Sequence, residues 1–141
     1  MTLSAGDCVF CSIVAGDTAA HVVASDESTM AFLDVRPVFP GHVLLVPREH
    51  HETLGDLPPA LVAPLFDAAP RLARAVEAGM DAHGTFVAMN NRVSQSVPHL
   101  HVHVVPRRRK DGLRGFFWPR QRYAGDEEME ETAALIRAAV S

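Results

Sequence analysis

His99-Leu100-His101-Val102-His103-Val104-Val105 is the stretch that decides how this chain is read. Alternation of a polar ring with an aliphatic side chain is the period of a β-strand, in which residues i, i+2 and i+4 share one face. The spacing predicts a strand over residues 99–107 that turns Leu100, Val102 and Val104 into a core and aligns His99, His101 and His103 on the opposite side. Packing gives little reason for three imidazoles in a row, because each ring nitrogen needs a hydrogen-bond partner or water. Two chemistries suit such a row. One is metal binding by neutral imidazole; the other is attack on phosphorus by one ring while its neighbours manage charge and protons.

Upstream of this stretch, residues 21–25 and 29–35 read as short strands joined by the polar turn Asp26-Glu27-Ser28, an antiparallel pairing. Pro37, Pro40 and Gly41 break the chain before His42-Val43-Leu44-Leu45-Val46, a buried third strand stopped by Pro47. From residue 59 to 83 the apolar positions Leu61, Val62, Leu65, Phe66, Ala69, Leu72, Ala73 and Val76 recur at helical spacing, with Arg71, Arg74 and Glu77 opposite, which predicts one long helix. Pro58 and Pro59 suit its first turn, whereas Pro64 and Pro70 predict a kink or a later start. Gly84 stops the pattern, and residues 85–90 and 99–107 form two further strands around the polar loop 91–98. Residues 126–140, acidic first and rich in Ala, Leu and Ile after, predict an amphipathic C-terminal helix aligned with its own dipole. The sum is an α+β chain of five strands and two helices.

A chain of 141 residues, 48% hydrophobic and 21% charged, suits a single domain over 1–141, with a core at about 8–107 and a basic, aromatic and helical remainder at 108–141. It has no apolar run of membrane-spanning length and no basic-then-apolar leader, so a cytoplasmic location without membrane contact is expected. The net charge of −4 argues against general nucleic-acid binding, so any phosphate affinity should be local. Cys8 and Cys11, the two cysteines, are spaced C-x-x-C. In a reducing cytosol that spacing marks a metal half-site or a redox pair. The redox reading wants a preceding strand for which eleven residues leave no room, so metal is favoured.

The triad stretch matches the H-φ-H-φ-H-φ-φ signature of the histidine-triad (HIT) superfamily. Phe32-Leu33-Asp34-Val35-Arg36-Pro37, then Pro40-Gly41-His42-Val43-Leu44-Leu45-Val46-Pro47 to His50, resembles the family's other recurrent segment, and Gln95-Ser96-Val97 precedes the triad as in family members. The resemblance runs from Cys8 to about Pro106. It implies a HIT-like fold, a five-stranded antiparallel sheet with one long helix packed on it and a C-terminal helix, assembled as a homodimer. It also implies hydrolysis or transfer at the α-phosphate of a purine nucleotide conjugate through a covalent nucleotidyl-histidine. In that scheme His101 is the nucleophile, His103 stabilises charge as the leaving group departs, His42 supports the triad, and Ser96 donates toward the leaving atom. Asp34, with Val35 beside it, matches the ribose-binding position, while Asn90 and Gln95 match positions near the α-phosphate that His101 and His103 also contact. The loop before the triad is shorter than in phosphoramidase members, so Asn91 competes with Asn90. Members that keep the cysteine pair complete a structural zinc site with histidines matching His50 and His99. The resemblance thus implies zinc on Cys8, Cys11, His50 and His99, with His51 as the neighbouring alternative to His50.

Arg107-Arg108-Arg109-Lys110 and Arg114 follow the triad and lead into Gly115-Phe116-Phe117-Trp118-Pro119-Arg120. The basic run leans toward longer phosphate chains, as in dinucleoside polyphosphates, whereas Ser96 suits nucleoside phosphoramidates, and both substrate classes stay open. The aromatic residues suit a core seal, a dimer contact or a stacked base. A rival of another class is a non-catalytic nucleotide-binding, zinc-stabilised interaction protein.

Overall fold

Polar turns and short aliphatic runs give this chain five strands, all paired antiparallel in one sheet of order β1-β2-β3-β5-β4. The computed structural model describes residues 7–114 and 120–140. In chain order these hold α1 (Val9–Ala15), β1 (Val22–Ser25), β2 (Thr29–Leu33), β3 (Val43–Pro47), a 3₁₀ turn (Leu54–Asp56), α2 (Pro59–Gly79), β4 (Gly84–Ala88), β5 (Val102–Arg107) and α3 (Asp126–Ala139). This is the α+β HIT-like arrangement expected from the sequence. The β1–β2 hairpin closes on Asp26, whose carboxylate accepts the backbone N–H groups of Ser28 and Thr29 at 2.9 and 2.7 Å. That side-chain bond mimics a backbone turn. Two compact units divide the chain: Met1–Asp111, which contains the sheet, and Gly112–Ser141, which contains α3.

The centre of the sheet is covered on both faces, and β3 is buried at every position, while the edge strand β1 is exposed throughout. On one face Ala31, Val43, Leu45, Leu100, Val102 and Val104 pack against Leu65, Ala68, Ala69, Leu72 and Val76 of α2. On the other, Met30, Phe32, Leu44 and Val46 meet Cys8 and Phe10. The aliphatic half of the His99 to Val105 alternation therefore faces α2, as its period requires. The regular ladder begins only at Val102, so His99, Leu100 and His101 form its run-in. Leu100 is tied there by its N–H to the carbonyl of His51 at 2.7 Å.

Helix α2 starts where the apolar pattern starts and keeps Pro64 and Pro70 inside it. A later start is thus ruled out. Each proline removes one i→i−4 bond, which releases the carbonyls of Ala60 and Phe66. Both residues are exposed, so water can take up the released groups. The helix ends at Gly79, four residues before the expected limit, and Asp81 follows at φ 50°. Its Val62 and Phe66, counted in the apolar spacing that predicted the helix, are 43% and 46% exposed.

Helix α1 was not expected from the sequence. Seven residues are too few to display an amphipathic period, yet both ends are capped. The Cys8 side chain accepts the Cys11 N–H at 3.4 Å, and Gly16 takes the left-handed conformation at φ 85°. Glycine at that position avoids the Cβ strain of positive φ. Helix α3 has Asp126, Glu127 and Glu128 in its first turn and Arg137 in its last, in the sense that complements a helix dipole. The segment Gly115-Phe116-Phe117-Trp118-Pro119 lies outside the described residues.

Candidate active site

On the sheet face opposite α2, the cross-strand pairing of Leu44 with His103 brings β3 and β5 together, and His42 just before β3 meets His103 side by side. Gly41 makes this possible. It sits at φ 96°, and a Cβ there would lie 2.5 Å from Met80 Cγ, so the turn that delivers His42 needs glycine.

The hydrogen bonds around His42, His101 and His103 fix their neutral tautomers. His101 Nδ1 lies 2.8 Å from the carbonyl oxygen of His99, which can only accept. Nδ1 therefore carries the hydrogen, and Nε2 keeps a lone pair. His42 Nδ1 accepts the Val38 N–H at 3.1 Å, so its hydrogen is on Nε2, which donates to His103 Nδ1 at 2.9 Å. The remaining hydrogen of His103 is then on Nε2. Burial, joined by the neighbouring His101 and His42, lowers the His103 pKa to about 4 despite the opposing effect of Asp34. Burial likewise lowers that of His42, with Asp34 opposing. Both rings are neutral at neutral pH.

Asp34 lies beside this pair. One carboxylate oxygen accepts the Arg36 N–H at 2.8 Å, and the other is 3.7 Å from His42 Nε2. Asp34, His42 and His103 converge closely enough to resemble a cation site. The Val38 N–H bond argues against one, because it holds the hydrogen of His42 on the nitrogen that would have to bind the ion. Val35, next along, is 89% exposed.

A second cluster lies at the other end of the histidine row. Cys8, Cys11, His50 and His99 place all four ligand atoms within 4.8 Å of one another. His99 Nδ1 is 3.4 Å from Cys8 Sγ, 3.5 Å from Cys11 Sγ and 3.2 Å from His50 Nδ1, and Cys11 Sγ is 3.3 Å from His50 Nδ1. Zinc–sulfur and zinc–nitrogen bonds of about 2.3 and 2.0 Å give a tetrahedron with edges of about 3.3–3.8 Å, so the spacing fits. His99 is fully buried and holds the far side of its ring by donating Nε2–H to the Pro47 carbonyl at 2.8 Å. Such an outer bond presents Nδ1 to a metal. Without a cation, burial chiefly and the adjacent Cys8 secondarily push the Cys11 thiol up to about 11. A metal ion there would favour the thiolate. His51 is outside the cluster. Among the described residues its Nε2 is buried without a hydrogen-bond partner, 3.6 Å from a Glu49 carboxylate oxygen.

The loop before the triad is held by its own side chains. Gln95 accepts the Arg92 N–H at 2.8 Å and donates to the Glu52 carbonyl at 2.7 Å, while Arg92 and Ser94 adopt φ of 71° and 62°. Gln95 thus braces the loop. Asn91 accepts the Leu54 N–H at 2.8 Å, which engages it in the same scaffold, while Asn90 and Ser96 are exposed. Arg107 ends β5 four residues beyond His103, and its guanidinium is paired with Asp111 at 2.7 Å. Arg108 donates to the Met80 carbonyl, and the Arg109 N–H to His83 Nδ1. Arg107 and Arg108 are therefore engaged in closing the β4–β5 end. A groove of about 480 Å³ between β1–β3 and α2, lined in part by Ala31, Leu45 and Leu72, opens on the opposite face from the histidines.

Sequence comparison agrees with this geometry. The HIT domain matches residues 15–110, more than half the chain. The chain belongs to the HIT-domain family. An uncharacterized HIT-like protein of Mycobacterium tuberculosis is 36% identical over 139 residues, covering 95% of this chain and 93% of that one. The adenosine 5'-monophosphoramidase of Saccharomyces cerevisiae is 32% identical over 115 residues, 81% of this chain and 71% of its own. Among solved structures, SMU.412c of Streptococcus mutans matches with a TM-score of 0.87 at 34% identity, over 100% of this chain and 90% of that one. A zinc-bound histidine triad family protein of Mycobacterium smegmatis matches at a TM-score of 0.73 and 36% identity, over 97% of this chain and all of its own. As a HIT-domain chain it carries a nucleotide-binding fold with clustered histidines of catalytic type and a Cys₂His₂ cluster able to hold a metal ion. Among the described residues, no helix is long and apolar enough to cross a membrane.

Proposed function

We propose that this HIT protein is a nucleotide hydrolase or nucleotidyl transferase acting at the α-phosphate of purine nucleotide conjugates, with His101 as nucleophile. The observation that carries this reading is the His101 Nδ1–H bond to the His99 carbonyl, which leaves Nε2 with its lone pair. Attack by Nε2 forms a nitrogen–phosphorus bond, and the leaving group departs with the electrons of its own bond to phosphorus. His101 keeps its Nδ1 hydrogen on the carbonyl throughout. Water then attacks phosphorus, the electron pair of the nitrogen–phosphorus bond returns to Nε2, the proton that the water sheds passes through solvent to the departed group, and the nucleotide is released. His103 is neutral and carries its hydrogen on Nε2, so its part is a hydrogen bond to charge developing on the departing atom.

Asp34 takes the ribose hydroxyls through its carboxylate, beside Val35, and Asn90 meets the α-phosphate. Ser96 donates toward the leaving atom, and His42 holds His103. Gln95 acts through the loop it braces. Zinc is the metal we assign to Cys8, Cys11, His50 and His99, supported by the donor set, the spacing and the zinc-bound M. smegmatis relative. When bound it supplies a closed-shell structural tie, with no open position for substrate. We further read the protein as a cytoplasmic homodimer, consistent with its two free thiols and with the exposed Val62 and Phe66 on α2.

Similarity to the yeast phosphoramidase supports phosphoramidates as one substrate class. Rates on an adenosine phosphoramidate and a diadenosine polyphosphate, measured side by side, test the reading. Release of AMP from at least one is expected. Tight nucleotide binding with no turnover of either would instead favour the non-catalytic interaction protein.

A further inference from the structure

Phe10 lies between the two cysteines of the metal cluster, and the mechanism above does not use it. The residue is 6% exposed, and its ring makes perpendicular or steeply tilted contacts with three others: His101 at 5.1 Å and 81°, His99 at 5.9 Å and 75°, and Phe32 at 5.4 Å and 64°. These are edge-to-face geometries, which carry an orientation preference beyond simple burial. We propose that Phe10 is a positioning residue for His101, set in place by the Cys8–Cys11 segment, so that the metal cluster and the reactive ring are mechanically linked.

The case begins with what one hydrogen bond leaves free. The His99 carbonyl selects the Nδ1–H tautomer, but torsion about the Cβ–ring bond of histidine is broad and roughly twofold. A ring turned over would lose the carbonyl bond and aim carbon, not nitrogen, at phosphorus. His103 borders the ring at 4.9 Å and 65°, and Phe10 supplies a second wall. Phe10 is itself held on both sides. Cys8 caps α1 through the Cys11 N–H, and both cysteines point at His99 Nδ1. His99 also lends its carbonyl to His101, so one residue joins the cluster to the nucleophile through its ring and through its backbone. A cation holding Cys8, Cys11 and His99 would fix both ends of the segment that carries Phe10.

The inference rests on the nucleophilic role proposed for His101, but one of its readouts does not. The test compares zinc-loaded, full-length wild type with Phe10→Leu, labelled with ¹⁵N at histidine. The His101 ring is assigned with His101→Gln, and zinc content is measured on the same samples. Wild type should show one Nδ1–H species. Phe10→Leu should keep about one zinc per chain, show a mixture of ring states, and form the nucleotidyl adduct roughly 10- to 100-fold more slowly in a single turnover. Zinc-stripped wild type should show the same mixture. A wild-type ring signature and adduct rate in Phe10→Leu would overturn the proposal. So would loss of zinc or of folding in that variant, because Phe10 would then support the metal site alone. If wild type itself forms no adduct, the functional reading fails, while the ring measurement still decides whether Phe10 positions His101.

Discussion

His42 Nε2 donates to His103 Nδ1 across 2.9 Å, and the direction of that bond is set by the Val38 N–H, which occupies the other nitrogen of His42. The order in which three groups are joined thus decides which atom of His103 bears a hydrogen. Replacing His42 with Ala removes the donor and releases that constraint. The expected result is a kcat lowered roughly 10- to 100-fold, with KM little changed, by steady-state kinetics. An unchanged kcat would make His42 a packing residue.

The metal cluster predicts a stability effect that chelation can read. A ligand bound only to the native state stabilises by about 4 kcal/mol when its free concentration is about 1,000 times Kd. Zinc added to stripped wild type should raise Tm by several degrees or more, and Cys8→Ser should abolish both the shift and the bound metal. The measurement is thermal denaturation with elemental analysis.

Acid should destabilise the fold through imidazoles that partial or full burial holds neutral. The His103 pKa is lowered to about 4 in the folded chain from an ordinary 6.5, and that of His42 is lowered too, chiefly by burial. The unfolded chain therefore binds more protons between these values. The stability this provides is complete above about 6.5 and is lost as pH falls toward about 4. Denaturant titrations of the His103→Gln variant should show a shallower loss over that window than wild type.

Gly41 offers a test of how His42 is delivered. Gly41→Ala places a side chain at φ 96° against Met80, so it should destabilise by roughly 1–3 kcal/mol in urea unfolding. Activity should fall beyond the loss in folded fraction, because the same turn positions His42.

Much of this was legible in the sequence because two periods dominate it. The alternation from His99 to Val105 separates core from site residue by residue, and the apolar spacing of α2 survives its prolines. Cys8, Cys11, His50 and His99 were assembled from the family resemblance, and the fold does bring them together. Other features hid for physical reasons. Seven residues of α1 carry no period, although Cys8 as a cap and Gly16 as a stop were signals for it. Phe10 reads as an ordinary apolar residue until the fold brings together segments ninety residues apart in sequence. The loop role of Gln95 and the pairing of Arg107 with Asp111 depend on turn geometry that composition does not encode.

The central claim is that His101 becomes covalently nucleotidylated. Brief incubation with an adenylated substrate, an acid-free denaturing quench and intact-mass analysis with peptide mapping test it directly. Wild type should gain one nucleotidyl group on the peptide containing His101, and His101→Ala should gain none and lose turnover. Turnover retained by His101→Ala, or an adduct on another residue, would contradict the account.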